Sequence, residues 1–106
     1  MSETSTLTSP LQKMYEKAGV LCFRMPVGKI QKGKHWIQLC KEGTADLLVF
    51  PRTGPVTWVE TKDPAGSTKK SRREQQEAFR ARVEALGHRY LLAKTLDEGL
   101  RALEER

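Results

Sequence analysis

The chain has 106 residues, room for one small domain and not for two. Its 19 Lys and Arg exceed its 13 Asp and Glu, giving a formal net charge of +6, and 38% of the residues are hydrophobic. A membrane-spanning helix is excluded because no apolar run approaches the roughly 20 residues a bilayer requires, and a disulfide framework because Cys22 and Cys40 are the only cysteines.

In chain order, residues 1–7 read as a flexible polar tail and residues 8–106 as a single domain. The tail has neither the basic region nor the apolar stretch of a signal peptide, so a cytoplasmic setting with reduced thiols is expected. Ser9-Pro10-Leu11-Gln12 is a capping box with Pro at the first helical position, predicting a short helix that stops near Gly19. Val20–Met25 reads as a strand. His35–Cys40 alternates and reads as the far arm of a basic hairpin turning at Lys32-Gly33. Ala45–Phe50 and Val56–Thr61 flank a Pro51-Arg52-Thr53-Gly54-Pro55 turn. A second capping box at Ser71-Arg72-Arg73-Glu74 opens a helix running to Gly87, Arg89–Ala93 is the last strand, and Thr95-Leu96-Asp97-Glu98 opens a final helix with Leu96, Leu100 and Leu103 on one side. The pattern is an α/β domain with a mixed β-sheet flanked by helices, in the order α-β-β-β-α-β-α.

The charge is unevenly spread. Arg24, Lys29, Lys32, Lys34 and Lys41 fall in a stretch without acids, and Lys69, Lys70, Arg72 and Arg73 cluster where the long helix begins. The last residues are more acidic. A basic body of this kind suits a phosphate backbone, and a helix N-terminus adds backbone N–H groups to the attraction.

The central hairpin carries charges on an apolar frame. With its turn centred on Thr53, Asp46 and Glu60 lie equally far from the tip, directly opposite each other and about 5 Å apart at Cβ. Lys62 follows on the same face by the strand period. Two carboxylates this close repel unless something positive joins them. A divalent cation does so, and an all-oxygen set favours Mg²⁺, with Mn²⁺ as substitute, over Zn²⁺. Lys62 would then orient a water or stabilise charge on a phosphate. The same spacing also describes a surface hairpin in which Lys62 merely screens Glu60.

An Asp entering one strand and Glu-x-Lys closing the next resembles the PD-(D/E)XK nuclease superfamily, and in detail its VRR-NUC (virus-type replication-repair nuclease) branch. The matching residues are Gly43-Thr44-Ala45-Asp46-Leu47-Leu48-Val49-Phe50, then Trp58-Val59-Glu60-Thr61-Lys62, Gly66, and a helix with Gln75-Gln76-Glu77-Ala78-Phe79 ending at Gly87-His88. The resemblance implies a restriction-endonuclease-like core. It also implies metal ligation by Asp46, Glu60 and the backbone carbonyl of Thr61, with Lys62 as the catalytic lysine. Its spacing from Phe79 and Gly87 selects Gln76 over Gln75 as the motif glutamine, and helical spacing independently puts Gln76 on the stripe of Phe79, Val83 and Leu86 that faces the sheet. Stand-alone members of the branch look like homodimeric resolvases of four-way (Holliday) junctions in DNA repair, and a phage or bacterial setting is implied in the same way. Two positions depart from the pattern. Ala45 replaces a frequent Pro. Thr8 stands where a Glu early in the first helix is a further metal ligand, leaving Glu3 and Glu16 as possible substitutes.

The expected activity is therefore Mg²⁺-dependent hydrolysis of DNA phosphodiesters. Asp46, Glu60, Lys62 and Gln76 form the site, and Arg24, Lys29, Lys32, Lys34, Lys69, Lys70, Arg72 and Arg73 contact nucleic acid. Two alternatives stand beside a junction resolvase: a binding module that has lost catalysis, and a flap or single-strand nuclease or nickase. Cys22, His35, Cys40 and His88 match no zinc spacing and read as ordinary thiols and imidazoles. Trp58 reads as core, while Trp36 beside the basic hairpin could touch nucleic acid.

Overall fold

The first helix, α1, spans Glu3–Lys17 in this computed structural model, which describes residues 3–62 and 70–104, with side chains from residue 7 onward. Gly66 and Lys69 of the sequence reading, and the side chain of Glu3, lie outside the described residues. The helix begins well before the expected cap at Ser9, and Pro10 lies inside it on the exposed side. An interior Pro loses one backbone hydrogen bond and costs about 3 kcal/mol. Here the packing of Leu7, Thr8, Leu11, Met14 and Tyr15 against the rest of the chain outweighs that cost.

Four strands form the sheet: β1 (Leu21–Arg24), β4 (Leu47–Phe50), β5 (Thr57–Thr61) and β6 (Arg89–Ala93), in the order β1-β4-β5-β6. The first two pairings are antiparallel and β5 with β6 is parallel, so the sheet is mixed. Between β1 and β4 the chain makes a separate two-stranded ribbon, β2 (Lys29–Lys32) and β3 (His35–Gln38), paired Lys32 to His35 around Gly33-Lys34. Leaving the ribbon aside, the helices and sheet strands follow the expected α-β-β-β-α-β-α order. Helix α2 (Lys70–Ala85) supplies the crossover to β6, and α3 (Leu96–Gly99) runs into a 3-10 turn at Leu100–Leu103.

Alternation along β4 and β5 sorts the two faces of the sheet. Leu47, Val49 and Val59 pack with Leu11, Tyr15, Cys22, Ala93 and Ala102 into the core beneath α1. Each buried Leu or Val contributes about 1.5–3 kcal/mol. Tyr15 donates its hydroxyl to the Gly99 carbonyl at 2.7 Å, tying α1 to α3. On the opposite face Trp58 meets Phe79 of α2 edge-on at 5.1 Å, and Phe79 meets Tyr90 at 6.2 Å. Trp58 is therefore packed, as expected. Trp36 on the ribbon is 65% exposed.

Three helical expectations need correction. Ser71 sits in the first turn of α2, whose cap lies outside the described residues. Leu86, expected on the buried stripe with Phe79 and Val83, is exposed, because α2 ends at Ala85 and the chain turns through Gly87 at φ 86° with His88 N–H closing on the Val83 carbonyl. Leu96 and Leu100 are also exposed, because α3 tightens into the 3-10 turn and buries Gly99 and Ala102 instead. The Thr95 cap forms as expected, its hydroxyl accepting the Glu98 N–H at 3.1 Å.

Candidate active site

The register of β4 and β5 pairs Leu47 with Val59, Leu48 with Trp58 and Val49 with Thr57, which centres the hairpin on Thr53. Continued by one residue, it sets Asp46 opposite Glu60 at the mouth of the hairpin. Asp46 Oδ2 accepts two hydrogen bonds from Thr61, from its backbone N–H at 2.8 Å and its hydroxyl at 2.7 Å. Thr61 Oγ1 in turn lies 2.8 Å from Thr8 Oγ1, both residues being buried. The one Thr61 hydroxyl proton goes to the carboxylate, so the Thr8 hydroxyl donates to Thr61. Helix α1 thereby holds Asp46 through a chain of two hydroxyls. The sequence assigned Thr61 only a backbone carbonyl and read Thr8 only as the place of a missing acid; the hydroxyl chain is a contact between distant residues that no local pattern announces.

Glu60, Lys62 and Gln76 form a second chain. Lys62 Nζ donates to Gln76 Oε1 at 2.7 Å, and Gln76 Nε2 donates to Glu60 Oε2 at 2.8 Å. The amide is used at both ends. Gln75 is exposed, and Gln76 is the glutamine aimed at the site. Gly43 makes this approach possible: it is buried at φ 92°, and a Cβ there would come 2.7 Å from the Gln75 carbonyl oxygen of α2. The glycine ahead of the motif Asp is thus a contact surface for the helix that delivers Gln76.

Glu60 is 5% exposed, and among the described residues its Oε1 has no hydrogen-bond partner. Burial pushes its pKa up to about 8 and the charge of Asp46 adds to the rise, while Lys62, Arg72 and the Asp46 backbone N–H act against it. A buried, unsatisfied carboxylate oxygen beside a second carboxylate is a place where a hard cation fits. Among the described residues no group of three or more His, Cys, Asp or Glu side chains gathers. The protein oxygens available are those of Asp46 and Glu60 with nearby backbone carbonyls. That set suits Mg²⁺, which keeps several waters.

Glu16 is exposed, and its charge acts on the buried Cys22 thiol, whose pKa is raised to about 11 mainly by burial. It is not brought to the carboxylate pair and does not replace the missing acid. Lys70, Arg72 and Arg73 are exposed in the first turn of α2, with Arg72 near enough for its charge to act on Glu60. Arg24 ends β1, reaching Ser9 Oγ at 3.4 Å, and Lys29, Lys32 and Lys34 lie exposed on the ribbon. The basic residues therefore lie exposed on two stretches of the chain, one before and one after the Asp46–Glu60 pair.

No protein-family model and no curated protein matches the chain. Among solved structures it is similar to one described as a VRR_NUC domain, with a TM-score of 0.57 and 18% sequence identity, covering 95% of this chain and 94% of the other. The mixed sheet with α1 and α3 on one face and α2 on the other is the fold of a VRR_NUC domain.

Proposed function

We propose that the protein is a metal-dependent, structure-selective DNA endonuclease that hydrolyses phosphodiester bonds, working as a homodimer on four-way junctions. The observation that carries this reading is the Gln76 bridge from Lys62 to Glu60, set beside Asp46 with one Glu60 oxygen unsatisfied among the described residues. Asp46, Glu60 and the carbonyl of Thr61 would hold Mg²⁺, or Mn²⁺ in its place. Bound there, the ion would neutralise charge on the phosphate and acidify a bound water.

The remaining work falls to side chains. Gln76 fixes the Lys62 ammonium relative to Glu60, so the ammonium meets a phosphate oxygen or the attacking water without first reorganising. The Thr61 and Thr8 hydroxyls hold Asp46 in one orientation. Lys70, Arg72 and Arg73, with Lys69, draw phosphates towards the start of α2, and Arg24, Lys29, Lys32 and Lys34 do so on the other side. These contacts position the backbone and carry no base identity, so selection rests on DNA shape. Leu21, Phe23 and Phe50 form an exposed apolar patch at the β1 edge, 64%, 51% and 39% exposed, which supports a surface for a second copy.

One observation favours a second reading. Thr8 supplies a neutral hydroxyl where a third acid would strengthen metal binding, which would leave a module that binds DNA without cutting it. Cleavage of labelled four-way junction, flap, single-stranded and linear DNA with Mg²⁺ or Mn²⁺ separates the cases. The junction reading predicts paired, symmetric cuts that disappear in Lys62→Ala and Glu60→Ala. Cuts confined to flaps or single strands would reassign the substrate, and binding without cleavage would favour the second reading.

A further inference from the structure

The β2–β3 ribbon is exposed at every one of its positions, including Ile30 at 48%, Ile37 at 41% and Trp36 at 65%. A two-stranded hairpin is marginal by itself, so this one is held at its root. The Val27–Cys40 bridge, Gly28 N–H to Cys40 O at 3.0 Å, Leu39 N–H to Gly28 O at 2.8 Å and Cys40 N–H to Pro26 O at 2.9 Å close it. Just beyond them Met25 N–H donates to the Asp46 carbonyl at 2.8 Å. The backbone of the proposed metal ligand is thus bonded to the segment from which the ribbon rises.

Cross-strand pairing assigns its faces. Gln31 lies opposite Trp36 and Lys29 opposite Gln38, sharing one face, while Ile30 and Ile37 pair on the other. Gln38 is occupied, its amide donating to Gly28 O and Leu39 O at 3.1 Å each. Trp36 and Gln31 remain as an aromatic plane with an amide beside it, on a ribbon whose lysines have no acid among them between residues 20 and 41. That charge repels a second identical ribbon and attracts a phosphate chain. A base within a duplex hides both ring faces in the stack, whereas an unpaired base offers one to an aromatic side chain.

We infer that the ribbon is a single-strand clasp, in which Trp36 stacks on an unpaired base while Lys29, on the same face, and Lys34, in the turn, hold the adjoining phosphates. Resting on the nuclease reading for its purpose, the clasp would hold a nucleotide that opens out of its pair at the branch point of the junction, near the cut. Binding itself does not depend on catalysis.

The test uses metal-free full-length protein, with an oligo-dT single strand and a blunt duplex of equal length as probes. In a Trp58→Phe background Trp36 is the sole indole, and single strand is expected to quench its fluorescence. Trp36→Ala should weaken single-strand binding about tenfold, at the lower end of what one base–aromatic stack contributes, with Trp36→Phe close to wild type and duplex binding changed less than about twofold. Because Trp36 is exposed, circular dichroism should be unchanged in both variants. Absent quenching, equal loss on duplex, or a Trp36→Ala protein that falls from dimer to monomer in sedimentation would overturn the clasp, the last assigning the ribbon to a second copy. Quenching in a protein that cuts no substrate would leave the clasp standing and remove the nuclease reading; cutting without quenching would do the reverse.

Discussion

The burial of Glu60 sets the pH response of the site. Its pKa is raised to about 8 because burial and then the Asp46 charge disfavour the ionised form. The folded state therefore binds this proton more tightly than the unfolded chain does. The associated stability is fully present below the unfolded carboxylate range near 4.5 and is lost as pH rises towards about 8. Metal-free protein should consequently melt lower at about pH 8.5 than at about pH 5.5, with Glu60→Gln removing that part of the slope. Mg²⁺ should raise the melting temperature of the wild type at the higher pH and leave Glu60→Gln nearly unmoved; identical pH profiles for the two proteins would contradict this. Thr61→Val removes the hydroxyl from Asp46 and leaves the Thr8 hydroxyl without its acceptor, whereas Thr8→Val removes only the outer link. Each should lose about 1–2 kcal/mol of stability in urea titrations, and Thr61→Val should lower Mn²⁺ affinity more than Thr8→Val does.

At the level of elements, the approach of α2 to the residues before β4 decides whether Gln76 reaches both of its partners. Gly43→Ala places a methyl against the Gln75 carbonyl and puts a side chain at positive φ. Destabilisation of about 1–3 kcal/mol is expected, together with a loss of activity approaching that of Gln76→Ala; a Gly43→Ala protein of wild-type stability would remove the close approach from the account. The hairpin could be read beforehand because its information is local: alternating apolar residues and a Pro-Arg-Thr-Gly-Pro turn between them set the register on Thr53. Gln76 was likewise legible from its place on the Phe79–Val83 stripe. The start of α1 was not, since Ser9-Pro10 is a good local helix start and is overridden by Leu7 and Thr8 packing on distant strands. The bond from Thr8 to Thr61 spans 53 residues of sequence. The stripe assigned to Leu96, Leu100 and Leu103 failed for a related reason: it assumed a continuous α-helix, and the 3-10 turn rotates those leucines off one face.

For the whole molecule, the basic ribbon and the apolar patch of the sheet lie on different elements of the fold. The basic residues occupy the ribbon and the start of α2, so DNA affinity should fall steeply with salt, with Lys32→Ala or Lys34→Ala reducing the slope by about one counterion each. The apolar patch of Leu21, Phe23 and Phe50 lies on the half of the sheet face that α2 leaves open, where Phe23 meets Phe50 edge-on at 6.0 Å. If two copies meet there, Phe23→Asp should give a folded monomer in sedimentation and abolish paired cutting of junctions; an unchanged mass would place the interface elsewhere. The proposed function has Asp46, Glu60, Lys62 and Gln76 acting together as a metal-dependent phosphodiesterase. Its most direct test is single-turnover cleavage of labelled junction DNA over a Mg²⁺ series, with wild type and Lys62→Ala prepared side by side and DNA binding measured for both. Mg²⁺-dependent cutting by the wild type is expected, with a loss of about 100-fold or more in Lys62→Ala at unchanged DNA affinity. Equal cutting by the two proteins, or cutting that persists in EDTA, would contradict it.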